Sequence, residues 1–269
     1  MNPETLSTTT TLPAIIGAAL LLGLLSPTVG IVLVMRRFSL LADTLSHVSL
    51  FGVAISSWFA LPMTLGASIS AIIGGGGIEL LRQSKRVLSE ATLAIFLSGS
   101  LALAIIIFSL RGIEAEEVES YLFGNLAWVN GTDFLLLLVI ALILGLFFKA
   151  YYRQLFLVTL DEDLARVSGV TVNRLNLVFM LLASTVVAAA IKVVGVLLVS
   201  ALIVLPVMAA LQWRLGFRKT LWVSLCISEC SVIGGLLLAY FGNVPSGAAI
   251  ALMTLLAFFF SYMLNWGHR

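Results

Sequence analysis

Charge is scarce in this chain. Only 10% of its 269 residues are Asp, Glu, Lys or Arg, and 61% are hydrophobic; soluble domains carry about 25% and about 45–50%. Mean hydropathy is +1.13. These values exclude an ordinary soluble domain and predict a polytopic membrane protein. The net charge of +2 is too small to point to a nucleic-acid partner. Histidine and cysteine are rarer still, with two of each. Cys226 and Cys230 lie inside one hydrophobic run, so they say nothing about redox compartment. No Lys or Arg precedes Arg36. A secretory signal needs a basic leading segment, so the first apolar run is expected to be a retained span. No Gly-Lys-Ser or Gly-Lys-Thr closes a phosphate loop, and no His-Glu-x-x-His is present. ATP hydrolysis by that loop and zincin-type proteolysis are therefore not expected. No polar stretch is long enough for a soluble domain, and residues 1–269 read as a single transmembrane domain.

What is present is a succession of apolar runs. About 20 apolar residues cross the ~30 Å hydrocarbon core as a helix, and a helix satisfies its own backbone where lipid offers no partner. Nine candidates run roughly 12–34, 40–60, 63–81, 91–110, 134–150, 175–191, 195–211, 221–241 and 248–266. The predicted fold class is therefore all-α, with eight or nine transmembrane helices. Basic residues occupy alternate connections: Arg36 and Arg37; Arg82, Lys85 and Arg86; Arg153, Arg166 and Arg174; Arg214, Arg218 and Lys219; Arg269. The opposite connections hold Glu114, Glu116, Glu117 and Glu119, or almost no charge. Positive loops stay cytoplasmic, so nine spans put the N-terminus outside and the C-terminus inside. Lys192, between the sixth and seventh runs, breaks this pattern. Joining those two runs as one broken helix removes it from a loop but turns Arg214, Arg218 and Lys219 outward. The connection over 151–173 is the longest inner segment and is expected to form a short surface helix.

Ionisable side chains inside a span are functional candidates by default. Asp43 and His47 stand four apart in the second run, so they share a helix face with Cβ atoms about 5–6 Å apart. A carboxylate oxygen and an imidazole nitrogen suit a borderline divalent cation such as zinc or manganese. Two ligands do not close a site. Two copies of the helix facing across a two-fold axis would supply four. The alternative is a buried hydrogen-bonded pair that fastens helices together. Cys226, Glu229 and Cys230 form a second group, either a metal or path site or ordinary packing. Gly74 to Gly77 are expected to allow close helix approach.

The segment Leu160-Asp161-Glu162-Asp163-Leu164-Ala165-Arg166-Val167-Ser168-Gly169 has acidic residues suited to a helix N-terminus and a glycine suited to its C-terminal cap. It resembles the Glu-Ala-Ala…Gly loop of bacterial ABC importer permeases. Five blocks together resemble the zinc/manganese/iron-chelate uptake ABC permease family. They are Arg36 to Ala54; Tyr121-Leu122-Phe123-Gly124-Asn125; the segment just given; Lys192-Val193-Val194-Gly195 to Pro206; and Val244-Pro245-Ser246-Gly247. They occur in family order over nearly the whole chain.

The resemblance implies an ABC importer permease fold working as a homodimer in a bacterial cytoplasmic membrane. It implies two ATPase subunits on the cytoplasmic face and an extracytoplasmic metal-binding protein. The family's metal ligands fall on Asp43 and His47. Its coupling helix, about 155–172, falls on Asp161, Glu162, Asp163, Ala165 and Gly169. No permanently bound cofactor is implied: the metal is cargo and ATP sits on the partner. The Asp43-Thr44-Leu45-Ser46-His47 and Lys192-Val193-Val194-Gly195 blocks resemble the zinc branch, with manganese or iron as the other choices. Ala42 stands where the family usually has Gly, and Ala248 where Pro often follows the Ser-Gly turn. Two other classes fit less of the sequence: a proton-coupled secondary metal transporter, and a membrane enzyme using Asp43 and His47 as acid and base.

Overall fold

The computed structural model describes residues 3–84, 88–113, 115–124 and 129–266; side chains are described within these except at 3–12, 115–117 and 266. Lys85, Arg86, Glu114, Asn125, His268 and Arg269, and the side chains of Glu4, Glu116 and Glu117, lie outside the described residues. The described chain is helical throughout: α1 Pro3–Met35, α2 Leu40–Phe59, α3 Met63–Ser84, α4 Ser89–Arg111, α5 Ala115–Phe123, α6 Gly131–Leu160, α7 Glu162–Val167, α8 Val172–Val194, α9 Val199–Leu211, α10 Phe217–Gly242 and α11 Ser246–Trp266. Eight of these are long and apolar enough to cross a bilayer.

The ninth predicted span is the short one. The run over 195–211 yields α9, a helix of 13 residues, about 20 Å at 1.5 Å per residue. Gly195 has φ +91° and ψ 157° and turns the chain, which then runs back along the bundle. The backbone groups freed by the turn find partners inside the protein. Val196 N–H donates to Tyr121 C=O at 3.0 Å and Leu197 N–H to Leu122 C=O at 3.1 Å. α9 therefore returns antiparallel to α8 while packed against α1, α10 and α11. Its Leu202, Ile203, Val207 and Ala210 are buried.

The other difference is at 151–160. These residues do not join a surface helix; they extend α6 to 30 residues, because Leu155 and Val158 keep burying on the bundle and Tyr152 and Phe156 stack edge-on against Phe217 at 5.6 and 5.4 Å. Only Glu162–Val167 forms the separate short helix.

Charge sorts to the two ends of the bundle. Arg36, Arg82 and Glu162 meet at one end. At the other, Lys192 Nζ lies 2.6 Å from Asp133 Oδ2, so the charge of Lys192, outside the basic loops, is paired. The glycines of α3 act as expected where they face neighbours. A methyl at Gly74 would press on Val48 of α2, and one at Gly75 would overlap Ser184 of α8, so α2, α3 and α8 approach closely around this point.

Candidate functional site

Residues 40–59 form α2 because the run is apolar and free of proline and ends cleanly at Ala60, a left-handed cap whose N–H bonds Ser56 C=O. Neighbouring helices, chiefly α3 and α4 with α8 and α9, cover most of α2. One stripe is left less covered. Leu40 and Trp58 are exposed, 56% and 50%, and Asp43, Phe51 and Ile55 are partly buried. With His47 these positions recur every three or four residues, which is one helix face. Asp43 and His47 thus share the less covered face of α2. His47 itself is 7% exposed, and its Nδ1 is buried without a hydrogen-bond partner. A buried imidazole nitrogen left unpaired costs free energy unless something else binds it. Among the described residues no three His, Cys, Asp or Glu side chains converge as a metal site.

The second predicted group separates. Cys226 and Cys230 are exposed and line shallow apolar grooves with Ala257 and Phe260 of α11. Glu229 turns the other way, toward α1, where a Cβ at Gly23 would stand 2.7 Å from its Oε1. That oxygen and the hydroxyls of Ser26 and Ser228 are buried without partners. Glu229 is therefore set apart from Cys226 and Cys230, which share one groove.

The short helix α7 is built as its sequence suggests. The Asp161 carboxylate caps it by accepting from the N–H groups of Asp163 and Leu164 at 2.8 and 3.1 Å. Gly169 follows it at φ +81°, and the Val170 N–H closes on Ala165 C=O at 3.0 Å. Asp163, Leu164, Val167 and Gly169 are exposed, while Ala165 is fully buried against the bundle. Glu162 is turned inward: its Oε1 accepts from Arg36, from Arg82 Nη1 at 3.1 Å and from Asn176 Nδ2 at 3.3 Å. Burial alone would raise the Glu162 pKa, but the Arg36 and Arg82 guanidiniums bring it below its ordinary value. Burial pulls Arg36 down from its ordinary value, against the pull of Glu162.

Sequence reasoning missed Glu79. It is fully buried in α3 and chelated by Arg82, Oε2 to Nε and Oε1 to Nη2, both at 2.8 Å. Its signal was a carboxylate three residues before an arginine on one helix face. Three of the five family-like blocks also converge. Gly124, Gly195 and Gly247 lie within backbone contact of one another at the acidic end, where a methyl at Gly195 would overlap Leu122 C=O and one at Gly247 would overlap the carbonyls of Val194 and Phe123. A cavity of about 290 Å³ opens nearby between α2, α3, α5 and α8, with Val53, Met63, Tyr121 and Lys192 in its wall.

An all-helical bundle with eight membrane-length helices among the described residues defines a polytopic membrane protein. Residues 7–265 match the ABC 3 transport family, and the chain belongs to that family. It is 34% identical to the "Probable metal transport system membrane protein" of Treponema pallidum, over 88% of this chain and 89% of that one. It is 34% identical to the "High-affinity zinc uptake system membrane protein ZnuB" of Buchnera aphidicola, over 88% and 91%. It is 29% identical to the "Manganese transport system membrane protein MntC" of Listeria monocytogenes, over 90% and 86%. Among solved structures it resembles PsaBC from Streptococcus pneumoniae in complex with Fab, with a TM-score of 0.82, 26% identity and coverage of 94% and 91%. The chain is accordingly the membrane permease of a metal ABC importer, the transport component rather than the ATPase.

Proposed function

We propose that two copies of this chain form a zinc permease in which Asp43 and His47 of each copy bind the ion in transit. The observation that carries this reading is the open stripe of α2 with an unpartnered His47 nitrogen on it. A carboxylate left partly uncovered on a membrane helix does not face lipid at low cost; it faces water, a partner or a cation. A second α2 across a two-fold axis covers the stripe and makes two Asp and two His ligands, a set suited to tetrahedral zinc. Zinc is favoured over manganese and iron by the imidazole share of that set and by the 34% identity to a permease named for zinc uptake. Affinity at such a site is modest, since an ion held too tightly does not leave.

The basic end is cytoplasmic by the positive-inside rule, which puts the start of α1 outside and the end of α11 inside a bacterial cytoplasmic membrane. There α7, within the coupling segment 155–172, docks on one of two ATPase subunits through its exposed Asp163, Leu164 and Val167. A metal-binding protein delivers the ion at the acidic end, above the cavity walled by Met63 and Tyr121. The whole chain acts as one transmembrane unit. The test is zinc uptake by cells carrying this chain with its ATPase and binding protein, with excess manganese as competitor. Uptake that needs an active ATPase and resists manganese supports the reading; uptake abolished by manganese reassigns the metal.

A further inference from the structure

We propose that Glu162 is a positioning residue for transport: with Arg36, Arg82 and Glu79 it forms a charge latch that ties α7 to the start of α2. The proposal rests on the coupling role given to α7 above and departs from it on one residue, since Glu162 then serves the permease's own interior and not the ATPase surface.

The geometry is closed and neutral, two guanidiniums against two carboxylates. Glu162 Oε1 holds Arg36 and Arg82 together, and Arg82 continues to Glu79 in a two-pronged contact. Arg36 Nη1 donates to Asn176 Oδ1 at 3.0 Å. The Phe38 ring lies beneath both guanidiniums, 5.3 Å from Arg36 and 5.6 Å from Arg82. Side-chain exposure is 7% for Arg36, 14% for Arg82, 0% for Glu79 and 30% for Glu162. Four elements therefore meet at one carboxylate: the α1–α2 turn, α3, α7 and the start of α8.

Two features make this more than a stabilising cluster. First, α7 has little else to hold it. Of its six residues only Ala165 is buried, and Leu164 and Val167 are 52% and 88% exposed. Among the described residues its other side-chain tie beyond the helix itself is Arg166 Nη2 to Asn173 Oδ1 at 2.9 Å. Second, the latch grips α2 at its root. Arg36 stands in the turn that contains Arg37 at φ +60° and Phe38, whose N–H bonds Leu33 C=O at 2.8 Å. Asp43 follows on the rigid helix beyond. Buried ion pairs add little net stability over apolar replacements of similar volume, but this one joins four elements at a single carboxylate. A push on α7 from a partner thus reaches the α1–α2 turn through Glu162, and packed rigid elements carry it onward to the helix that bears Asp43 and His47.

The experiment is the ratio of metal moved to ATP hydrolysed in the full complex reconstituted in vesicles. Compared are wild type, Arg36→Gln, and the Arg36→Met/Glu162→Leu pair, which keeps the remaining Arg82–Glu79 charges balanced. The latch predicts that both variants lower the ratio by about tenfold, within the range of measured coupling between sites. If Arg36→Gln fails to accumulate, the balanced pair carries the test. A pair that accumulates and transports at the wild-type ratio overturns the latch, as does a loss of uptake and hydrolysis in parallel with the ratio unchanged. Wild-type uptake that continues with an inactive ATPase overturns the coupling role of α7 itself, and the latch with it.

Discussion

Lys192 and Asp133 pair across the acidic end of the bundle, Nζ to Oδ2 at 2.6 Å, with α8 supplying the cation and the first turn of α6 the anion. Asp133 has a second task there. Its carboxylate accepts from the Asn130 N–H at 2.9 Å while the Asn130 side chain accepts from the Asp133 N–H at 3.1 Å, a capping box. Lys192→Met leaves that box intact and removes only the ion pair. It is expected to lower stability by about 1.5–3 kcal/mol, the range for a hydrogen bond to a charged group. Thermal unfolding in detergent checks this, and an unchanged midpoint would mean the pair is merely solvated.

Gly195 and Gly169 both have positive φ but differ in what surrounds them. Gly195 combines φ +91° with ψ 157°, a region nearly closed to side chains and costing about 1–3 kcal/mol when one is forced there. A methyl there would also overlap the backbone of Leu122 and Gly124. Gly169, at φ +81°, has open space around it, so only the ~1–2 kcal/mol left-handed penalty applies. Gly195→Ala is expected to abolish membrane accumulation, and Gly169→Ala to accumulate near the wild-type level. Equal levels of the two would contradict the close packing of α5, α8 and α11.

Much of this was legible in the chain. The apolar runs marked the eight long helices, and the Asp43–His47 spacing put both on one face. What escaped had long-range causes. The continuation of α6 past Ala150 depends on Phe217 arriving from α10 to pack on Tyr152 and Phe156. The shortening of α9 depends on α5 offering its terminal carbonyls to Val196 and Leu197. The inward turn of Glu162 depends on Arg36 and Arg82, 126 and 80 residues earlier. Local pattern carries none of these. It did carry Lys192 as an anomaly, which is where a pairing partner was to be sought.

Glu162 also predicts a pH effect. Its carboxyl is held below the ordinary 4.5 by the two arginines, against the opposing pull of burial. A group with a lowered folded pKa contributes stability above its unfolded pKa and loses it as pH falls through the folded value. Wild-type stability is thus expected to hold from neutral pH to about 5 and to drop below 4.5 more steeply than that of Glu162→Gln. Unfolding midpoints across an acid series check this; parallel curves for the two proteins would remove the ion pair from the account.

The central claim is that the Asp43–His47 pair handles the metal, and zinc uptake by His47→Ala tests it most directly. The variant is measured beside wild type at matched membrane levels, with the same ATPase and binding protein. The buried His47 Nδ1 has no hydrogen-bond partner, so its loss breaks no hydrogen bond at that atom. The account predicts normal accumulation and uptake reduced to background. Uptake at the wild-type rate would contradict it and make the pair a packing feature of α2.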